Sequence, residues 1–370
     1  MLLQGGGALG AYHHGVYEAL ATDSLDVTWF AGTSIGAILA AILVGNPPEQ
    51  RLEKLNAFWG RISWPQPFPA PPPEHPLRKP VNHASALASM VLGQPEFFAP
   101  RYLSAWSGLS DPYARASFYD TSPLARTLED LIDFDRINNA DIRLSIGAVE
   151  VETGHQVYFD NRDQTIDVRH VLASGALPPA FAPVRIGGCS YWDGGMLSNT
   201  PLDVVLNDEP RRNRLCFMID LFDPNGPAPT DSADLYERYK DIIYASRSST
   251  QIETHRQLYN LRRALSDVYG RLPAADRDDP DLKSLLKLGC TTTTCIVHLI
   301  YRGQPYRSWA KDFQFLPQTL ADHRQAGYED GRKALAERPW NDPVPPHEGI
   351  VVHEVDNRRN GPRVPHDGAC

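Results

Sequence analysis

The chain has 370 residues, of which 42% are hydrophobic, and its formal net charge is -9. This is the composition of a folded protein with one large domain or two modest ones, and the acidic balance argues against a nucleic-acid partner. The five cysteines form no C-x-x-C pair, so we expect neither a disulfide framework nor a zinc ribbon, and a cytoplasmic location fits best. The longest apolar stretch, 31–45, is shorter than the about 20 residues of a membrane span.

The N-terminal part of the chain alternates strands with helices. A strand over Leu2–Gln4 is followed by a glycine turn and a helix over Ala11–Ala21. A second strand over Val27–Phe30 leads to a helix in which Ile35, Ile38, Leu39 and Ile42 recur at helical spacing. This strand–helix–strand order predicts a parallel α/β sheet.

The middle of the chain interrupts this pattern and then resumes it. Residues 60–120 are rich in proline and aromatic residues, and we interpret them as an insertion, either a cap over a cleft or a surface excursion. After it, the sequence predicts strands at Ile142–Val151 and Gln156–Phe159 and a short helix at Val168–Leu172. A hairpin of Val184–Ile186 and Ser190–Trp192 follows.

The C-terminal part contains fewer elements. The sequence predicts strands at Leu215–Phe222 and Cys290–Tyr301. It predicts helices at Asp231–Leu272, broken once, and at Pro317–Glu337. We therefore assign a core to 1–210, a part that completes or extends the same domain to 211–340, and a loose tail to 341–370.

Consecutive glycines form the first candidate site. In Gly5-Gly6-Gly7-Ala8-Leu9-Gly10 the missing side chains let backbone N–H groups converge and hold an anion. The run also satisfies the dinucleotide pattern G-x-G-x-x-G. That pattern expects an acidic residue at the end of the second strand, where this chain has Phe30-Ala31-Gly32-Thr33. Nucleotide binding and simple close packing are therefore the weaker interpretations.

A serine motif follows the second strand. Gly32-Thr33-Ser34-Ile35-Gly36 has the form G-x-S-x-G, in which a strained turn exposes the serine hydroxyl. At the start of a helix, the N–H of Ile35 is free to support an oxyanion. The alternative is that Ser34 only caps the helix, and this motif alone supports both roles equally.

A nucleophilic serine needs a base, and no histidine stands in a recognisable catalytic setting. We interpret His13 and His14 as an exposed helical pair. Asp193, in Tyr191-Trp192-Asp193-Gly194-Gly195, ends a short strand just before two glycines. Such a carboxylate can accept the serine proton directly, and burial raises its basicity. Taken alone, however, Asp-Gly indicates an ordinary turn more often than a base.

Together the motifs resemble those of the patatin-like phospholipases. The glycine loop, G-T-S-I-G and D-G-G occur in that family's order, and Ala173–Val184 (ASGALPPAFAPV) resembles the segment that precedes its D-G-G. The resemblance covers residues 2–202. It implies an α/β fold, a three-layer α/β/α sandwich around a mostly parallel sheet, with neither a metal nor an organic cofactor.

The resemblance also implies a function. It points to a serine acyl hydrolase of lipid esters that works through an acyl-enzyme, with Ser34 as nucleophile and Asp193 as base. The N–H groups of Gly6 and Gly7, with neighbouring Gly5, match the family's oxyanion loop, which Ile35 would complete. The glycines expected to support this geometry are Gly10, Gly32, Gly36, Gly194 and Gly195.

One position departs from the family pattern. Leu9 stands where the family usually has arginine or lysine, a cation that could bind an anionic head group. Its loss favours neutral esters: acylglycerols, short acyl esters or a hydroxyalkanoate polyester. Two alternatives of other classes stay open, a nucleotide-binding oxidoreductase and a non-catalytic lipid-binding protein.

The expected partner is therefore a lipid or another acyl ester. We expect membrane contact, if it occurs, to be transient and hydrophobic, through Phe97, Phe98 and Trp106 in the 90–120 segment. The sequence does not indicate an oligomeric state.

Overall fold

The computed structural model describes residues 1–65, 70–101, 117–273, 276–303 and 310–355, apart from the side chains of residues 233, 246 and 247. In these ranges nine strands form one sheet, and two short strands pair separately. The strands are β1 (Leu2–Leu3), β2 (Trp29–Thr33), β3 (Ala99–Pro100), β4 (Tyr119–Asp120), β5 (Arg143–Glu150), β6 (Gln156–Asp160), β7 (Val184–Ile186), β8 (Cys189–Asp193), β9 (Arg214–Asp220), β10 (Thr294–Ile300) and β11 (Ile350–Glu354). The helices are α1 (Ala11–Leu20), α2 (Ile35–Val44), α3 (Arg51–Arg61), α4 (Arg78–Leu92), α5 (Ser122–Leu131), α6 (Phe134–Asn139), α7 (Val168–Ser174), α8 (Leu202–Leu206), α9 (Ser232–Arg271), α10 (Pro280–Leu286) and α11 (Pro317–Glu337).

The large sheet is mostly parallel, as the sequence predicted. Its order is β11-β10-β9-β1-β2-β5-β8-β7, and β6 pairs with the other edge of β5. The strands from β11 to β5 are parallel neighbours, whereas β6, β8 and β7 pair antiparallel. The hairpin expected at Val184–Ile186 and Ser190–Trp192 is the β7–β8 pair.

The sheet is covered by helices on both faces. Side chains alternate along a strand, so Leu3 and Phe30 join a larger buried cluster with residues of α1, α2 and α11, while Leu2 and Ala31 face the other way. The second face packs against α8 and against Tyr259 of α9. This is the three-layer arrangement that the sequence predicted.

The C-terminal part of the chain builds the same sheet and core. β9 continues the sheet next to β1, and α11 packs along α1. The two helices approach so closely that a Cβ atom on Gly15 would lie 1.8 Å from the Arg324 carbonyl oxygen, and one on Gly327 would lie 2.1 Å from that of Tyr12. The Tyr12 hydroxyl donates to Asp330 at 2.7 Å across the same contact.

Two sequence predictions about this part were wrong. α9 is a single helix of 40 residues, without the expected break. The loose tail is wrong for Ile350–Glu354, which forms β11 parallel to β10 and buries Ile350 at the edge of the sheet. Residues 356–370 lie outside the described residues.

The expected exposed pair, His13 and His14, is buried. His13 Nε2 lies 2.8 Å from the carbonyl oxygen of Gln4, directly before the glycine loop. Burial lowers the pKa of His13 to about 4 and that of His14 to about 3, so both imidazoles are neutral near pH 7. His13 thus belongs to the packing beneath the glycine loop, and neither imidazole lines the cleft described below.

Candidate active site

Two strand ends meet on one edge of β5. β2 runs parallel to β5 and ends with Thr33 opposite Gly147, while β8 runs antiparallel and ends with Asp193 opposite Ala148. β6 occupies the opposite edge. The chain ends of β2 and β8 therefore converge at adjacent positions of β5, which brings Ser34 and Asp193 together although they are far apart in sequence.

Ser34 lies on a strained turn between β2 and α2. Its φ of 55° and ψ of -125° are a conformation that residues other than glycine rarely adopt. The side chain makes no capping hydrogen bond to α2, so the helix-cap interpretation was wrong. The Ser34 side chain instead interacts with Asp193, whose pKa it lowers, and both residues line the same cleft.

Asp193 is a buried carboxylate, with only 2% of its surface exposed. Its Oδ1 accepts the N–H of Gly195 at 2.7 Å. Burial raises the pKa of Asp193 to about 7, against the opposing effect of the hydrogen bonds from Ser34 and Gly195. At neutral pH this carboxyl group is therefore poised to take up or release a proton.

The glycine loop brings free amide donors next to Ser34. Within the described part of the chain, the N–H groups of Gly6, Gly7 and Ile35 make no hydrogen bond, and all three residues line the same cleft as Ser34. Gly7 has a φ of +55°, and a Cβ atom there would lie 2.3 Å from the Asp312 carbonyl oxygen. Only glycine fits this position.

Gly5 does not provide a free donor. Its N–H donates to the Asn199 carbonyl oxygen at 3.2 Å, and its own carbonyl accepts Asn199 Nδ2 at 3.1 Å. Gly5 was therefore wrongly expected among the oxyanion donors, and it anchors the loop instead. A Cβ atom on any supporting glycine would come within 3.0 Å of a neighbour. The neighbour is a backbone atom at Gly32, Gly36 and Gly194, and a side-chain atom at Gly10 and Gly195.

These groups face a cleft of about 870 Å³, a volume that includes its open mouth. Its lining is largely apolar, and the insertion contributes Phe97 and Phe98 to it, alongside Phe181 and Phe222. The insertion thus forms part of a cleft wall. Tyr102, Trp106 and Tyr113 lie outside the described residues. A concave apolar wall with few polar groups is typical of a site for an apolar ligand.

The expected membrane contact does not fit Phe98. Phe98 is 2% exposed and packs edge-on against Tyr119 and Phe181, and Phe97 faces the cleft. The Phe98 side chain is therefore not available to a membrane surface, whereas that of Phe97 is half-buried. None of the described helices is long and apolar enough to cross a membrane.

Leu9 does not reach the site. It is 2% exposed, belongs to the larger buried cluster and does not line the cleft. The charged residues among the described lining are Asp193 and Asp312, and the lining contains no lysine or arginine there. Asp312 forms an ion pair with Lys240.

Sequence reasoning missed three residues that hold this geometry. Asn199 ties down the glycine loop, Gly147 lets β2 and β8 meet on β5, and Ser174 binds the Ser34 amide. Asn199 and Gly147 carried no sequence signal, whereas Ser174 lies in the Ala173–Val184 segment. His170 of the same helix accepts the Asp167 N–H in a capping box, and no histidine of the described chain lines the cleft.

A serine, a carboxylate and free amides at the strand ends of a mostly parallel sheet are typical of serine hydrolases. The sequence model of the patatin-like phospholipase family matches residues 1–206, more than half of the chain. A second family model, described as patatin phospholipase, matches residues 242–347. The chain belongs to the patatin-like phospholipase family.

Individual relatives are distant. A patatin-like phospholipase domain-containing protein of Caenorhabditis elegans, ZK370.4, is 24% identical over 56% of this chain and 12% of its own length. The cGAMP-activated phospholipase of Vibrio cholerae is 32% identical over 26% of this chain and 30% of its own length. The match to the crystal structure of VipD from Legionella pneumophila covers 90% of this chain and 66% of that one, at 16% identity and a TM-score of 0.39. The chain thus covers less than a third of the length of either curated relative.

Proposed function

We propose that this chain is a serine acyl hydrolase that cleaves lipid esters, with Ser34 as nucleophile and Asp193 as base. The observation that carries the proposal is the convergence of Ser34 and Asp193 on adjacent positions of β5, where both line one cleft and the buried carboxyl has its pKa raised to about 7. A base with a pKa near the working pH combines proton affinity with a useful population of the charged form.

The geometry supports an acyl-enzyme mechanism. Ser34 Oγ attacks the ester carbonyl carbon while Asp193 takes the serine proton, and the N–H groups of Gly6, Gly7 and Ile35 bind the developing oxyanion. Asp193 then gives the proton to the leaving alcohol as the ester bond breaks. In the second half, Asp193 takes a proton from water and the hydroxide attacks the acyl carbon. The ester bond to Ser34 Oγ then breaks, the carboxylic acid is released, and the proton returns from Asp193 to Ser34 Oγ.

The test is covalent labelling with a fluorophosphonate probe. We expect the wild-type chain to be labelled and Ser34→Ala to lose labelling, while Ser24→Ala, which alters an exposed serine, keeps it. Unchanged labelling of Ser34→Ala would rule out this nucleophile. Thermal stabilisation by NAD, NADP or FAD would instead favour the nucleotide-binding alternative.

The activity should rise with pH. Since the base must be deprotonated in the free enzyme, kcat/KM for a soluble nitrophenyl ester is expected to increase between pH 5 and 8 with a midpoint near the Asp193 pKa of about 7. The profile is measured below saturation and corrected for spontaneous hydrolysis. A rate independent of pH over this range would contradict a base with this pKa.

Neutral esters are the second candidate, favoured by the charges of the cleft. Among the described residues the lining has no lysine or arginine, and its carboxylate outside the proposed dyad, Asp312, already holds Lys240 in an ion pair, so no lining cation is provided for an anionic head group. We expect kcat/KM for a diacylglycerol to exceed that for phosphatidylglycerol of the same acyl chains by at least about 10-fold. Both are presented in the same neutral detergent micelles, and a preference for the anionic lipid would exclude this candidate.

A further inference from the structure

The segment that precedes Asp193 has no part in the mechanism derived above. Ala173–Val184 begins in the last turn of α7 and continues along the cleft, which it lines with Gly175, Leu177 and Phe181. Its first polar side chain is Ser174, which is fully buried beside the turn that carries Ser34.

The Ser174 hydroxyl is hydrogen-bonded in two directions. It donates to the Gly147 carbonyl oxygen at 2.6 Å and accepts the Ser34 N–H at 2.9 Å. Because its own proton is used by Gly147, a lone pair of the oxygen faces Ser34. Gly147 also pairs with Thr33 in the β2–β5 ladder, so Ser174 ties the turn to the strand beside it.

The same segment also holds the base. The carbonyl oxygen of Ala176 accepts the Asp193 N–H at 3.0 Å. The backbones of Ser34 and Asp193 are thus bound two residues apart on one short stretch of chain. The start of α7 is held in turn by the capping box of Asp167 and His170.

We propose that Ser174 is a positioning residue for Ser34, an inference that rests on the proposed function. The positive φ of Ser34 is unfavourable and persists only where the surroundings hold it. The hydrogen bond from the Ser34 amide to Ser174 supplies this restraint and keeps Ser34 Oγ directed at Asp193. Small displacements of a reacting atom cost up to about 100-fold in rate.

The test is Ser174→Ala, which leaves the Ser34 amide without its acceptor. We expect kcat for a nitrophenyl ester to fall by about 10- to 100-fold with KM changed less than about threefold. The second-order rate constant of fluorophosphonate labelling should fall by the same factor, since it reports the reactivity of Ser34 alone. The matched control is Ser145→Ala, because Ser145 is equally buried and is also bonded on both sides, to Trp29 and Asp160. It should lose stability but keep both rate constants within about twofold.

Each outcome decides the proposal. Ser174→Ala with both rate constants within about twofold of wild type would overturn it, as would equal losses in Ser145→Ala. If Ser174→Ala does not fold, Ser174→Cys, with a side chain of similar shape and a weaker acceptor, is expected to slow both rates several-fold, and wild-type rates there would overturn it as well. Ser34→Ala is measured in parallel. Reaction at the wild-type rate in that variant ends the proposed function and this inference together, whereas an inert Ser34→Ala beside a fully active Ser174→Ala ends the inference alone.

Discussion

Replacing Asp193 by asparagine is expected to lower kcat by about 10³- to 10⁴-fold and at the same time to stabilise the fold. The amide still accepts the Gly195 N–H but cannot take the proton of Ser34. Stability rises because asparagine carries no charge that must be buried. The pKa of Asp193 is raised to about 7 in the folded chain. The free energy of unfolding of the wild type therefore falls as pH rises from about 4 to 7 and stays at its lower value above pH 7.

The gain of Asp193→Asn should therefore be small near pH 4, grow towards pH 7 and level off at a few kcal/mol. It is measured as the difference in free energy of unfolding from the wild type at each pH. Asp160→Asn is the matched control, because Asp160 is equally buried but paired with Arg143 at 2.7 Å. That variant should lose stability and keep its kcat. Wild-type kcat in Asp193→Asn would show that another group acts as the base.

Gly15→Ala is expected to destabilise the chain by about 3 kcal/mol or more. The added Cβ would lie 1.8 Å from the Arg324 carbonyl oxygen and 2.6 Å from the Tyr328 amide nitrogen, both of them backbone atoms of α11. Backbone atoms inside a helix cannot move aside, so α1 and α11 would have to separate. The turn Lys311–Phe313, which precedes α11, lies against Gly7, so we expect activity to fall as well.

Two other helical glycines provide the controls. A Cβ atom on Gly60 of α3 or on Gly270 of α9 would have no neighbour within 4 Å among the described residues. Gly60→Ala and Gly270→Ala are expected to leave activity unchanged and to raise stability by about 0.5–1 kcal/mol, because alanine favours the helix. Chemical denaturation compares the three variants. Equal stability of Gly15→Ala and Gly60→Ala would show that α1 and α11 pack less closely than these distances indicate.

The sequence predicted the elements whose residues leave little choice of structure. Pro317–Glu337 was predicted with the bounds that α11 has, and the β7–β8 hairpin follows from Gly187 and Gly188 between two short strands. The break expected in α9 is absent. The prediction failed because the sequence pattern does not show which irregularities in a helix the packing tolerates. β11 was missed because a five-residue edge strand among prolines and charges forms only when β10 is there to pair with it.

By itself the sequence determined the fold class and the family and indicated the chemical groups of the candidate site, because the order of strands and helices and the order of the motifs can be read along the chain. Only the tertiary structure decided which groups are available. In the fold the Gly5 N–H donates to Asn199, Phe97 lies against the cleft, and His13 and Leu9 are buried. The N–H groups of Gly6, Gly7 and Ile35 find no acceptor among the described residues. The reason is physical: hydrogen-bond partners and burial depend on chain segments far apart in sequence, which no local pattern records.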